Sequence, residues 1–475
     1  ILADHSRAMT FLIADGVVPS NEERGYVLRR VIRRAIQQGV QLELDPGFLV
    51  RYSARVRELM GHVYPELIEQ ADAIDMWLGA EEENFGRTLA RGDARLNEEI
   101  EDARRQGRHT VPAEFVFRLY DTDGFPYEMT RELLAEAGLT VEGDFDALMN
   151  EQRQRSRAAS AGAPQANGAG GPNRDLAASF AARSDFRTDF TGYETELAHT
   201  SIGAAEHVSG RTWLVKLPES PFYAPGGGQV ADHGTLECED RDCRALVTDV
   251  YRVGEDQALA VEFTDGEPDV GEAVVARVDH VARHATEANH TATHLLHAAL
   301  RQRLGAHVRQ AGSYVGPDKL RFDFSHGQAL TPEELRDVED QVNEWISRND
   351  PVRPISTTLD EARSLGAMAL FGEKYGDVVR MVEIGSGDYS RELCGGTHVR
   401  RTAEIGVLRI LSETSSAANV RRIEAVTGPE AATLLLGHDR ALTDIARVVR
   451  SRPEDAPEAV ATLASERREL ERTVR

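Results

Sequence analysis

A chain of 475 residues is too long for one hydrophobic core, so we expect two to four domains. Its content of 41% hydrophobic and 28% charged residues is typical of a soluble globular protein. No apolar run reaches the length needed to span a membrane, and no signal peptide opens the chain. Taken alone, the net charge of -24 argues against a nucleic-acid partner. RNA binding, however, requires only a local basic face.

The first part of the chain, residues 1–157, is predicted to be helical because apolar residues recur at helical spacing. An amphipathic helix is already under way at Ile1, so we expect a fragment whose N-terminal part is missing. A basic face is predicted on one side of a later helix, and its members are Arg29, Arg30, Arg33 and Arg34. The alternative for this face is an ordinary solvated helix surface.

The rest of the chain changes character three times. Residues 158–189 begin with an Ala, Gly, Pro and Asn run and are predicted to be a flexible linker. Short β-type runs with Gly-rich turns predict a small β-barrel over 190–278. Helix and strand patterns alternate over 279–430, and 431–475 becomes a charged helix that leads into a coil. The predicted fold class is therefore α+β multidomain.

Three cysteines are too few and too scattered for a disulfide framework, which fits a reducing, cytoplasmic setting. Cys238 and Cys243 lack the CxxC spacing of metal ligands and lie in a predicted hairpin among acidic residues. We therefore expect neither of them to bind a metal.

Two short motifs carry the strongest chemical signal. His290 and His294 are four residues apart and project from one face of a helix. Cys394 and His398 supply a thiol and a third imidazole about a hundred residues later. This set of nitrogen and sulfur ligands is the one that zinc prefers in tetrahedral sites. A metalloprotease site is excluded because Thr291 stands where HExxH requires glutamate, while His297 and the weaker His284 remain rival ligands.

Seven stretches in one order resemble the alanyl-tRNA synthetase family over essentially the whole chain. They are DHSRAMTFLIADGVVPSNEERGYVLRRVIRRA, FRLYDTDGFPYE, FYAPGGGQVADHG, NHTATHLLHAALRQRLGAHVRQAGSYVGPDKLRFDFSH, GAMALFGEKYG, ELCGGTHV and VRRIEAVTG. The resemblance implies a helical tRNA-recognition domain, a β-barrel and an editing domain with zinc, followed by a helix that leads to a coil. No counterpart of the family's ATP-binding segments is recognised, so we expect this chain to lack the aminoacylation core and not to charge tRNA unaided.

The resemblance implies an editing site that hydrolyses tRNA(Ala) mischarged with serine or glycine, because one methyl group discriminates by only about 1–3 kcal/mol. It assigns one Zn2+ per chain to His290, His294, Cys394 and His398. It also assigns editing roles to Thr293, Gln310 and Ser313, whose polar groups suit a serine hydroxyl or an attacking water. Four protein ligands are the pattern of a structural zinc, so we favour a positioning role for the metal over generation of the nucleophile.

In the helical region the resemblance assigns recognition of a G·U pair to Asn21 and Asp121, whose oxygens can accept from a guanine amino group. The neighbouring arginines would hold phosphates, and Arg421 and Arg422 are candidates for contact with the RNA 3′ end. Asn419 replaces the family's usual glycine before VRRIEAVTG, and asparagine tolerates the left-handed conformation that a turn there requires.

The implied partners are tRNA(Ala) and its mischarged seryl and glycyl forms, with no membrane and no DNA. ATP and Mg2+ would serve only the full-length parent, and loss of the C-terminal domain would reduce oligomerisation. Two alternatives remain open: a freestanding trans-editing deacylase, and a non-catalytic RNA-binding module with a structural zinc.

Overall fold

The computed structural model describes residues 1–20, 23–151, 172–368, 376–387, 389–417 and 419–474. The chain divides into two compact units. Unit 1 comprises Ile1–Gln165 together with the short segments 325–328 and 415–421, and unit 2 comprises the remainder. Both helices and strands are present, so the prediction of an α+β multidomain chain is confirmed at that level.

Unit 1 is mainly helical. Its labelled helices are α1 (Leu2–Ala14), α2 (Glu23–Gln41), α3 (Phe48–Met60), α4 (Glu66–Glu69), α5 (Ala71–Arg105), α6 (Ala113–Asp121) and α7 (Tyr127–Glu136). Two short parallel strands, β1 (Thr110–Pro112) and β2 (Thr140–Glu142), complete it. The spacing of Leu28, Ile32 and Ile36 in α2 puts one apolar stripe into the core, where all three side chains are buried.

The predicted basic face of α2 needs correction because its arginines do not share one environment. Arg29 is buried, donates from Nε and Nη2 to Glu81 Oε1 at 3.1 and 3.0 Å, and also donates to the carbonyl oxygen of Pro19. Arg33 is partly buried above the ring of Phe85. Of the four predicted arginines, Arg30 and Arg34 are exposed. Neighbouring positions on a helix differ by about 100°, so a pair such as 29 and 30 spans two faces.

The first half of unit 2 is a seven-stranded antiparallel sheet. Its strands are β4 (Leu197–Ser201), β5 (Ala204–Ser209), β6 (Thr212–Lys216), β8 (Gly234–Cys238), β9 (Arg244–Val253), β10 (Asp256–Asp265) and β11 (Ala273–Val278), in the spatial order β4-β11-β8-β9-β10-β6-β5. Two further short strands, β3 (Asp189–Phe190) before β4 and β7 (Glu219–Ser220) after β6, form a separate parallel pair. Burial alternates along β11, as expected for a sheet with one face toward a core.

Two features of this half differ from the sequence-based expectation. Residues 158–171 of the predicted linker lie outside the described residues, but Pro172–Arg183 is a helix, α8. Its Ala177 and Phe180 are buried in a small apolar cluster with Leu214 and Ala258. Cys238 and Cys243 form a disulfide across the β8–β9 turn, whereas the small number and scatter of the cysteines predicted none.

The second half of unit 2 combines helices with two further antiparallel sheets. In chain order its elements are α9 (His280–Leu304), β12 (Gln310–Val315), β13 (Leu320–Ser325), α10 (Pro332–Ser347), β14 (Val352–Thr358), α11 (Leu359–Ser364), β15 (Val378–Ile384), β16 (Ser390–Leu393), β17 (Leu408–Ala417) and β18 (Val420–Thr427). The sheet orders are β12-β13-β18-β17 and β14-β15-β16. Two helices, α12 (Gly428–Val449) and α13 (Ala456–Val474), end the described chain.

Helix α9 carries the first metal motif, and local sequence explains its limits. Asp279 caps the first turn by accepting from the backbone nitrogens of Val281 and Ala282. Gly305, at φ 114°, ends the helix at the position where the sequence predicts a stop. Most of the middle of α9 is buried, which places its histidines inside the unit.

Two smaller observations complete the description. Asn419 has φ 62°, so it adopts the left-handed conformation expected for a glycine position. Among the residues described, no helix is both long and apolar enough to cross a bilayer. The finer domain boundaries, closure of the seven-stranded sheet into a barrel and the C-terminal coil stay predictions.

Candidate metal and editing site

The structure brings the two motifs together inside unit 2. The potential ligand atoms of His290, His294, Cys394 and His398 all lie within 4.8 Å of one another. Cys394 Sγ lies 3.4 Å from His290 Nε2 and 3.3 Å from His398 Nε2. Helix α9 supplies the first two side chains, and the loop after β16 supplies the other two.

These distances fit a tetrahedral zinc site. Zn–S bonds of about 2.3 Å and Zn–N bonds of about 2.0 Å place ligand sulfur and nitrogen atoms about 3.5 Å apart. His294 Nε2 is buried and has no hydrogen-bond partner among the described residues, so this nitrogen is available to bind a metal. The residues present therefore fit the group that the sequence implies.

The charges of the cluster also suit metal binding. Burial alone would raise the pKa of the Cys394 thiol, but His290 and His398 hold that pKa well below its usual value. Burial and the nearby His290 together lower the pKa of His398 to about 3. A thiolate and a neutral imidazole, the forms that ligate zinc, are thus favoured at these two positions.

Gln229 supports His290 from outside the cluster. Its Oε1 lies 2.8 Å from His290 Nδ1 and accepts from the backbone nitrogen of Thr397 at 2.9 Å, while its Nε2 donates to Thr397 Oγ1 at 2.9 Å. Because Oε1 can only accept, His290 Nδ1 must carry the proton. The lone pair of this ring is then on Nε2, which faces Cys394.

Glu392 has the corresponding place beside His294. Its carboxylate oxygens lie 3.1 Å from His294 Nδ1 and 3.2 Å from His297 Nδ1, and the residue is buried. Burial alone would lower the pKa of His294, but Glu392 and Cys394 raise it to about 10. A metal that binds Nε2 therefore displaces a proton from this ring. His297, a rival ligand by sequence, is not among the four grouped side chains and faces Glu392 instead.

Replacing Gln229 by methionine is expected to weaken zinc binding by about 10–100-fold, the usual effect of losing an outer contact to a ligating histidine. Methionine keeps the length of the side chain but cannot accept from His290 Nδ1. Zinc affinity would be measured by competition with a chromophoric chelator. Gln257→Met is the matched control, since Gln257 is also buried but lies in β10. Equal affinity in the Gln229 variant and the wild type would contradict the assignment.

The residues predicted to act in editing have defined local partners. Thr293 is buried and its hydroxyl donates to the carbonyl oxygen of Asn289 at 2.8 Å, so that hydroxyl can offer only an acceptor to a substrate. Gln310 Nε2 donates to Ser313 Oγ at 3.2 Å, and Ser313 Oγ donates to the carbonyl oxygen of Gly227 at 3.1 Å. Gln310 and Ser313 thus form a pair against the Gly-rich turn.

The residues predicted to bind RNA lie in different local environments. Asn21 lies outside the described residues. Asp121 is exposed at the end of α6. Arg422 makes a two-point ion pair with Asp323, at 2.6 and 2.7 Å, whereas Arg421 is its neighbour in β18. Roles in RNA binding stay predictions for all of them.

The sequence matches known protein families and relatives. Residues 1–282 match the family model described as tRNA synthetases class II (A), and residues 379–424 match the Threonyl and Alanyl tRNA synthetase second additional domain. The chain is 43% identical over 482 residues to an alanine–tRNA ligase of Pelotomaculum thermopropionicum and 44% identical over 481 residues to one of Thermotoga maritima. Each alignment covers 99% of this chain and 54% of the relative, so the chain spans about half the length of these proteins.

The first of these matches places the chain among the class II tRNA synthetases. Since the class II match covers more than half of the sequence and both relatives are named alanine–tRNA ligase, the chain belongs to the alanyl-tRNA synthetase family.

One expectation from the sequence is wrong. The chain does not lack the aminoacylation core, because residues 1–282 match the class II synthetase model. The expectation rested on the failure to recognise short ATP-binding segments in the sequence. A family match over 282 residues is stronger evidence than the apparent absence of short motifs. An activity limited to deacylation is therefore unsupported, while the matched second additional domain, which contains Cys394 and His398, is present as well.

Proposed function

We propose that the chain is part of an alanine–tRNA ligase that joins alanine to tRNA(Ala) with ATP and Mg2+, and that it also carries a zinc-dependent editing site. At this site the ester of tRNA(Ala) mischarged with serine or glycine would be hydrolysed. The convergence of His290, His294, Cys394 and His398 within 4.8 Å is the observation that carries the editing proposal.

The protein side chains have separate roles in this proposal. Zinc, when bound, would supply positive charge beside the ester carbonyl. Gln229 and Glu392 orient the ligating rings through their Nδ1 atoms. Thr293 offers an acceptor for the hydroxyl of a seryl group because its own proton is held by Asn289. The paired Gln310 and Ser313 would orient the attacking water.

RNA recognition is proposed to involve residues of unit 1. Arg30 and Arg34 are exposed and can contact phosphates, whereas Arg29 is committed to Glu81. Asn21 and Asp121 are proposed to read the acceptor stem, and Arg421 with Arg422 to contact the 3′ end. Arg422 would have to leave its ion pair with Asp323 to do so.

The test is hydrolysis of radiolabelled Ser-tRNA(Ala) by the zinc-loaded chain, with Ala-tRNA(Ala) as the control substrate. We expect release of serine well above background and little release of alanine, and we expect chelation of zinc to abolish the difference. If serine is not released although zinc and tRNA are both bound, a non-catalytic zinc-containing RNA-binding module is the better description. Alanine charging is measured separately, with ATP and Mg2+.

A further inference from the structure

Two side chains outside the ligand set reach the metal-binding loop, and neither has a role in the proposed hydrolysis. Tyr193 Oη donates to the carbonyl oxygen of Gly395 at 2.6 Å. Arg380 Nη1 donates to the carbonyl oxygens of Cys394 and Gly396 at 2.7 and 3.0 Å. Both are thus fixed against the loop that carries the Cys394 ligand.

We propose that Tyr193 and Arg380 form a binding subsite for the terminal adenosine of the aminoacylated RNA. The inference rests on the proposed editing function and specifies how that site holds its substrate. The ester to be cleaved is on the ribose of the last nucleotide, so the attached base lies only one ribose ring away from the reacting group. Groups that can recognise a nucleobase are therefore expected next to the cluster, and two of them are bonded to this loop.

Tyr193 has the properties of a base-stacking residue. It is 48% exposed even though it is bonded to the loop, and the Arg380 guanidinium carbon lies 4.3 Å from the centroid of its ring. Phe190 packs against it in a nearly perpendicular arrangement, with the two ring centroids 4.9 Å apart. Unstacked RNA bases are bound on aromatic rings and guanidinium planes in this manner. An exposed ring held at both its hydroxyl and its side is also preorganised, so little entropy is lost on binding.

The local charge favours an RNA end although the chain carries a net charge of -24. Arg380 lies against the Tyr193 ring, and the Arg252 guanidinium carbon lies 5.7 Å from the centroid of the Tyr223 ring. Arg252 Nη2 donates to the carbonyl oxygen of Ala224, next to the Gly-rich turn. Arg380, which is bonded to the loop of Cys394, can neutralise the phosphate that precedes the terminal nucleoside, and Arg252 adds a second positive charge near the Gly-rich turn.

The competing explanation is that Tyr193 only braces the loop through its hydroxyl. Two substitutions separate the explanations, because Tyr193→Phe removes the hydroxyl and keeps the ring, whereas Tyr193→Ala removes both. The probe is 3′-deoxy-3′-(serylamino)adenosine, an amide that cannot undergo ester hydrolysis, titrated calorimetrically into the zinc-loaded chain. We expect Tyr193→Ala to weaken binding of the probe by about 5–150-fold, which corresponds to the loss of one stacked base. Tyr193→Phe should change the affinity by less than about twofold.

Loss of affinity that is as large in Tyr193→Phe as in Tyr193→Ala would overturn the subsite in favour of a brace, and so would unchanged affinity in Tyr193→Ala. Tyr64→Ala, which removes a comparably exposed ring in unit 1, is the control. A second measurement needs no variant: the same probe with 2-aminopurine in place of adenine should lose fluorescence when it stacks in the wild-type site. Absence of quenching by a saturating amount of protein would also overturn the proposal.

The two proposals can fail separately. Quenching of the probe without hydrolysis of Ser-tRNA(Ala) would retain the subsite and reject the editing function. Hydrolysis of Ser-tRNA(Ala) without quenching or ring dependence would retain the function and reject the subsite.

Discussion

Cys394→Ala is expected to abolish stoichiometric zinc binding and ester hydrolysis together. Cys394 is the sole sulfur among the four grouped ligands, and its Sγ is the atom that approaches both His290 and His398. His290 and His398 lower the pKa of the Cys394 thiol and so favour the thiolate that binds zinc. An alanine methyl group offers no such ligand. The loss of zinc affinity should exceed about 100-fold, the upper end of the effect of an outer-contact residue.

Metal content would be measured by mass spectrometry after exhaustive dialysis, and hydrolysis with Ser-tRNA(Ala). The matched control is His284→Ala, which removes an imidazole from the same helix but outside the grouped four. It should keep full zinc and normal hydrolysis. Full zinc occupancy in Cys394→Ala would refute the ligand assignment, and normal hydrolysis by a zinc-free variant would refute the role of the metal.

The ligand set could be predicted because each half of it is local in sequence. Spacing of four residues puts His290 and His294 on one side of α9, and a second spacing of four links Cys394 to His398. The meeting of the halves was an expectation that spacing alone could not supply, and it came from the resemblance to a family. The geometry now brings all four together.

The supporting contacts were not predicted because they depend on topology. Gln229 is 61 residues from His290 and reaches it from the turn before β8. The sequence did carry a weak indication for Glu392. It is two positions before Cys394, and side chains two positions apart in an extended strand point to the same side. The arginines of α2 show the opposite problem. Their positive charge predicted an exposed basic face, but Arg29 is buried in an ion pair with the buried Glu81.

Arg283→Met is expected to destabilise unit 2 by about 3–5 kcal/mol, the usual cost of removing one partner from a buried ion pair. Arg283 is 1% exposed and lies on α9, two turns before His290. Its guanidinium forms a salt bridge with Asp232 and donates to the carbonyl oxygens of Gly192 and Pro221, both at 2.9 Å. Methionine fills similar volume but leaves the Asp232 carboxylate and two carbonyls without this donor.

The destabilisation would be measured by urea unfolding with zinc in excess, so that loss of metal does not add to the effect. The matched variants are Asp232→Asn and the double replacement of both residues. Asp232 also accepts from the backbone nitrogen of Tyr223 at 2.6 Å, an interaction that asparagine can retain. Because the main cost of Arg283→Met is an unpaired buried carboxylate, the double variant should be less unstable than the sum of the single changes. Additive losses would show that the pair is not coupled, and that α9 is held in place mainly by its apolar contacts.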